Sequence, residues 1–245
     1  MEACSRYHPV LWWSTLLCLF SAIACLVVGH SGEHDIDWIQ RGISTFAANA
    51  PNDDWVTASI LLFALCAALL GLMLSLTGRL RHRMSAHVAS MLLGNTAVGL
   101  VFVAWFEEVK AYPPRGYAAV RQQTFHDAGV LIFFTCSLMV LVIIGTSCLL
   151  SPPTLDASSA NERCATSALF QRIVGLALLS IAPLTNAIKD RNWTGRLLGL
   201  PGAAMGLRQR ASFAAVGMGL LVVTMLLRPL QLCRKSGPVD KTKSD

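Results

Sequence analysis

Six long stretches of this chain carry almost no charge, and polar segments separate them. They run over residues 10–28, 56–76, 87–106, 128–150, 169–187 and 213–230. A bilayer core about 30 Å thick takes roughly 20 residues of helix to cross. Backbone groups left unpaired in hydrocarbon cost several kcal/mol each, so such stretches must be helical there. The pattern therefore predicts an all-α fold, a polytopic transmembrane helical bundle of about six spans. Gln171, Arg172 and Pro183 interrupt the fifth stretch. An even number of spans places both termini on one side.

Three segments follow from this pattern: an N-terminal segment over residues 1–9, a six-span domain over 10–230, and a polar, disordered tail over 231–245. Residues 151–162, with two prolines and three serines, are expected to be a flexible linker. Arg6 ahead of the first apolar stretch could mark a signal peptide. That stretch is about 19 residues long, however, and no Ala-x-Ala cleavage site follows it, so it is expected to remain as a span.

Orientation follows from Lys and Arg near the span ends. With the N-terminus cytoplasmic, the inner segments hold 11 of the 20 basic residues, namely Arg6, Arg79, Arg81, Arg83, Arg163, Arg172, Arg228, Arg234, Lys235, Lys241 and Lys243. The outer segments hold the other nine, five of them between Lys189 and Arg210. Density decides between the two orientations. The short second connection packs three arginines into residues 79–83, whereas the long first loop has only Arg41. Both termini are therefore expected in the cytoplasm. Aromatic residues agree, with Tyr7, Trp12 and Trp13 at the inner edge and Trp38, Trp55, Trp105, Tyr112, Tyr117 and Trp193 at or beyond the outer one.

Composition supports a lipid solvent. The chain has 245 residues, of which 54% are hydrophobic and only 14% charged, where a soluble domain carries about a quarter charged. The net charge of +6 is spread singly or in short groups between apolar runs, with no aromatic-interleaved basic face, so no nucleic-acid partner is expected. The eight cysteines form no CxxC pair and no regular ladder, which argues against a disulfide framework and against a thiolate metal site. Small residues four apart let helices approach where no hydrophobic drive exists. Ser21 with Cys25, Ala67 with Gly71, Ser90 with Gly94 and Ala215 with Gly219 are the expected helix contacts.

Candidate chemistry collects at the outer end, where three span junctions supply polar groups. The candidate cluster is His30, His34, Glu107, Glu108, His126 and Asp127, with Glu33, Asp35, Asp37, Asp53 and Asp54 nearby. His30 and His34 would share a face if the first helix ran one turn past the membrane, and imidazole with carboxylate could then hold a divalent cation. For such a site His30, His34, Glu108 and His126 would have to approach within about 6 Å of one another. His126 could serve as a general base oriented by Glu107 or Glu108. The plainer reading makes His126-Asp127 the start of a helix, with the aspartate favoured by the macrodipole, and the acidic groups a solvated surface. No metal and no cofactor is assigned.

No span carries Asp, Glu or Lys at its middle, which counts against a pump or ion-coupled transporter. There is no G-x-S-x-G, no H-E-x-x-H and no Walker loop. Bis-histidine haem is disfavoured because His8, His30, His34 and His82 lie at span ends or in loops.

Several local features carry a family likeness: Ile43-Ser44 followed by Ala48-Asn49-Ala50-Pro51-Asn52 before the second span, His126 opening the fourth, and Gly206-Leu207-Arg208-Gln209-Arg210 before the sixth. Together with the order of six spans they resemble the domain-of-unknown-function family 998, small and mostly bacterial membrane proteins. The resemblance covers residues 10–227. It implies a six-span fold in a cell membrane, the bacterial inner membrane, and no established activity. The leading expectation is a non-enzymatic integral membrane protein that handles or senses a lipid or small amphipathic molecule, with the outer polar cluster as the mouth. The rival is a membrane-embedded, metal-dependent hydrolase with an outer-face His/carboxylate site. A third reading is a structural subunit of a membrane complex.

Overall fold

A computed structural model describes residues 2–31, 43, 47, 53–77, 83–106, 116–150, 162–189 and 205–227. The described chain forms six helices: α1 (Glu2–Gly29), α2 (Asp53–Thr77), α3 (Arg83–Trp105), α4 (Tyr117–Leu150), α5 (Glu162–Lys189) and α6 (Met205–Leu226). No strand occurs among the described residues. Five helices are long and apolar enough to cross a membrane, over His8–His30, Asp53–Leu76, Met84–Trp105, Tyr117–Leu150 and Leu207–Leu226. Helix α5 is as long as α1, at 28 residues, and its described apolar part runs over Leu169–Thr185. Gln171, Arg172 and Pro183 lie within this part. This architecture is compatible with a multi-pass membrane protein. The linker at 151–161 and the tail at 231–245 lie outside the described residues.

The helix ends have local causes. Asp53 and Asp54 occupy the first turn of α2, where the macrodipole favours negative charge, and Asp53 Oδ1 accepts the Asp54 amide at 2.8 Å. Gly116, at a φ of 86°, turns the chain into α4 in a conformation that costs a glycine little. Helix α4 thus begins about ten residues before the expected start at residue 128, and Asp127 lies well inside it rather than at its N-terminus. The macrodipole acts within the first turn, so it does not account for Asp127. Helix α1 ends at Gly29, and the Ser31 amide and hydroxyl both turn back to the Val28 carbonyl, at 3.0 and 2.7 Å. The regular helix thus ends before His30, and His34 lies outside the described residues.

Helices adjacent in sequence pack side by side from α1 through α6, and α6 also touches α4 and α1. Phe63 of α2 meets Phe213 of α6 edge to face at 4.8 Å. The Trp12 indole near the start of α1 donates to the Thr224 carbonyl near the end of α6, at 2.8 Å, so both lie at one end of the bundle. Leu19, Leu70, Met73, Leu74, Leu93, Leu141, Leu178 and Leu220 fill the interior. Large apolar side chains also cover the outside, such as Leu17, Leu65, Leu131 and Leu176. In water an exposed apolar surface of this extent would drive association, whereas in lipid it is the solvated face.

Close approach is managed by small residues. The Ser90 hydroxyl donates to the Gly71 carbonyl at 2.8 Å, and the Ser59 hydroxyl to the Ala22 carbonyl at 2.7 Å. Gly71, Ser90 and Gly219 stand at helix contacts as expected, but Gly94 faces open space. The tightest seams are Gly99 against Gly129 and Gly145 against Gly175. A Cβ built on Gly99 would lie 2.8 Å from the Gly129 carbonyl oxygen, and one on Gly175 would lie 2.8 Å from that of Gly145. Neither pair follows a four-residue spacing within one helix, so the sequence pattern does not reveal them.

Candidate functional site

At the end of the bundle where α1 finishes and α6 begins, His30 bridges two helices. Its Nδ1 lies 2.8 Å from the Leu26 carbonyl and its Nε2 lies 2.8 Å from Arg210 Nη2. A carbonyl cannot donate and a guanidinium cannot accept, so Nδ1 carries the proton and Nε2 accepts. Both ring nitrogens are thereby engaged, and a metal ion could take one only by displacing a partner. Next to it, Gln209 Oε1 accepts the amide of buried Ile43 at 2.7 Å, which ties the first connection to α6.

At the α3–α4 corner His126 is 3% exposed, and its Nδ1 donates to the Phe106 carbonyl at 2.7 Å. The last carbonyls of a helix have no intrahelical partner, so His126 caps the end of α3. Asp127 points outward and accepts from the Gln123 amide at 2.8 Å. His30 and His126 thus have separate partners. His34, Glu107 and Glu108 lie outside the described residues. Among the described residues no three of His, Cys, Asp and Glu are grouped to hold a metal ion.

The same corner holds a feature that the polar residues did not signal. An open cleft of about 440 Å³ is lined by Trp105, Phe106, Tyr117, Ala118, Arg121, Gln122 and Phe125. Phe106 and Phe125 stack at 4.7 Å, and Phe102 packs edge to face against both, at 5.8 and 6.3 Å. The Arg121 guanidinium stands over the Phe125 ring, 5.6 Å from its centroid. Arg121 makes no ion pair among the described residues. The sequence does contain a signal for this wall, because Tyr117, Arg121 and Phe125 recur every four residues and so share one helix face. Such a cleft suits a molecule with an apolar body and a negative or polar head.

Comparisons with protein-family models, with curated proteins and with solved structures give no match to this chain.

Proposed function

We propose that this chain is a six-span protein of a cell membrane, with both termini in the cytoplasm, that handles or senses a lipid or small amphipathic molecule at the outer end of its bundle. The α3–α4 cleft carries this reading: it combines four aromatic side chains with one arginine at the end of the bundle. Among the described residues, apolar side chains such as Leu70, Leu93 and Leu141 occupy the interior, which favours the periphery as the place of the ligand. Helix α5 supplies the sixth span in this reading. Its Gly175 packs on Gly145 of α4, and its Ile181 meets the Gly219 position of α6, so its apolar part belongs to the bundle. The arginine-rich second connection favours the cytoplasmic side for that end. The family resemblance points to the bacterial inner membrane.

The test is to extract the full chain from membranes in mild detergent and identify co-purifying molecules by mass spectrometry. A lipid or amphipathic molecule retained near one per chain through detergent exchange is the expected result. A preparation stripped of all such molecules, which regains none when membrane extract is added back, overturns the reading.

A further inference from the structure

We propose that the α3–α4 cleft binds the phosphate-bearing headgroup of an anionic membrane phospholipid, with Arg121 as its cationic contact. This rests on the lipid-binding reading above and names the ligand class and the subsite.

The depth of the cleft is the first argument. Helix α4 has 34 residues and is therefore about 51 Å long, well beyond the roughly 30 Å of a hydrocarbon core. Exposed Asp127 marks where its first turns leave the apolar layer. The segment from Tyr117 to Phe125 then stands at headgroup level. Trp105 and Tyr117, at 79% and 83% exposed, flank it as interfacial aromatic residues do.

Shape is the second. The glycine seam at Gly99 and Gly129 brings the two helices into backbone contact, and farther out the rings of Phe102, Phe106 and Phe125 pack between them. A volume of about 440 Å³ is at the small end of ligand sites. It can take a headgroup and glycerol but not the acyl tails. A lane for a tail leads away from it toward the membrane centre. Trp105, Val101, Val98 and Gly94 share one exposed face of α3, and nothing lies within 4 Å of a Cβ placed on Gly94.

Charge is the third. The Arg121 guanidinium carbon lies 5.6 Å from the centroid of the Phe125 ring, and the residue is exposed beside the cleft. A guanidinium edge matches the paired oxygens of a phosphate. Among the described residues the lining holds no carboxylate, and an ammonium there would face Arg121. The complement is therefore anionic.

The experiment titrates the detergent-solubilised full chain with phosphatidylglycerol, phosphatidylcholine and diacylglycerol of equal tail length, read by native mass spectrometry. Phosphatidylglycerol should bind on the order of tenfold more tightly than diacylglycerol, as a charge-assisted pair warrants. R121Q should remove most of that preference and R121K should keep part of it. R172Q, on exposed α5 surface at the other end of the bundle, should behave as wild type. Equal phosphatidylglycerol binding by wild type and R121Q overturns this site while leaving lipid binding in place. Phosphatidylcholine binding as tightly as phosphatidylglycerol overturns the anionic assignment. Equal competition by free glycerol phosphate overturns the lipid as its source. Loss of all lipid binding by wild type removes both this proposal and the reading beneath it.

Discussion

Two corners of the same end of the bundle use arginine in opposite ways. At the α1–α6 corner Arg210 is partly buried and donates to His30, whose other nitrogen is held by its own helix. At the α3–α4 corner Arg121 is exposed and rests on an aromatic ring beside an open cleft. The first arrangement clasps helices from opposite ends of the chain. The second leaves a cation turned outward, where it contributes little to folding. The lesson is that a polar cluster in a membrane protein divides into structural and available groups by what its hydrogen bonds already hold.

The contrast can be broken most severely at the seam below the cleft. Gly99→Leu would drive a side chain into the Gly129 carbonyl and the Phe133 amide, both 2.8 Å from the first added carbon. Backbone cannot yield as a flexible side chain can, so a loss of about 3 kcal/mol or more is expected, seen as a large fall in Tm in detergent. Gly94→Ala is the control, because its Cβ meets nothing and the helix gains about 0.5 kcal/mol from the better helix former.

Next in size is Arg210→Ala, which removes the guanidinium contact to partly buried His30 and should lower stability by about 2 kcal/mol. Arg210→Lys should recover part of this. If thermal unfolding showed Arg210→Ala and Arg121→Ala to be equally harmless, the division between the two corners would fail. His126→Ala should cost about 1.5 kcal/mol, because the Phe106 carbonyl loses its donor. His126→Asn, which can still donate, should lie between it and wild type, whereas a catalytic base would not tolerate that change. The smallest effect is expected for Arg121→Gln, about 0.5 kcal/mol from the lost contact with Phe125. Its consequence should instead appear in lipid binding.

The spans were legible because crossing hydrocarbon demands length and apolarity, and both are written along the chain. The start of α4 was not. Hydropathy marks the residues that suit lipid, whereas the helix continues outward through Ala118, Ala119, Gln122 and Gln123, which are good helix formers of no great hydropathy. The contact of Ser90 with Gly71 was foreshadowed by small residues on each helix. Gly99 with Gly129 was not, since each glycine stands alone until its neighbour across the seam is known. Of the candidate cluster, His30 and His126 turn out to hold helices together, and Asp127 faces outward against Gln123.

Taken alone, the amino-acid sequence determined that this chain is helical, that its helices suit a lipid solvent, and where most of them end, because those properties depend on residues near one another in the chain. Only the tertiary structure decided that His30 would meet Arg210, 180 positions away, and that Phe106, Arg121 and Phe125 would frame a cleft. Such pairings depend on which helix faces which, and hydropathy along a single chain carries no record of that choice.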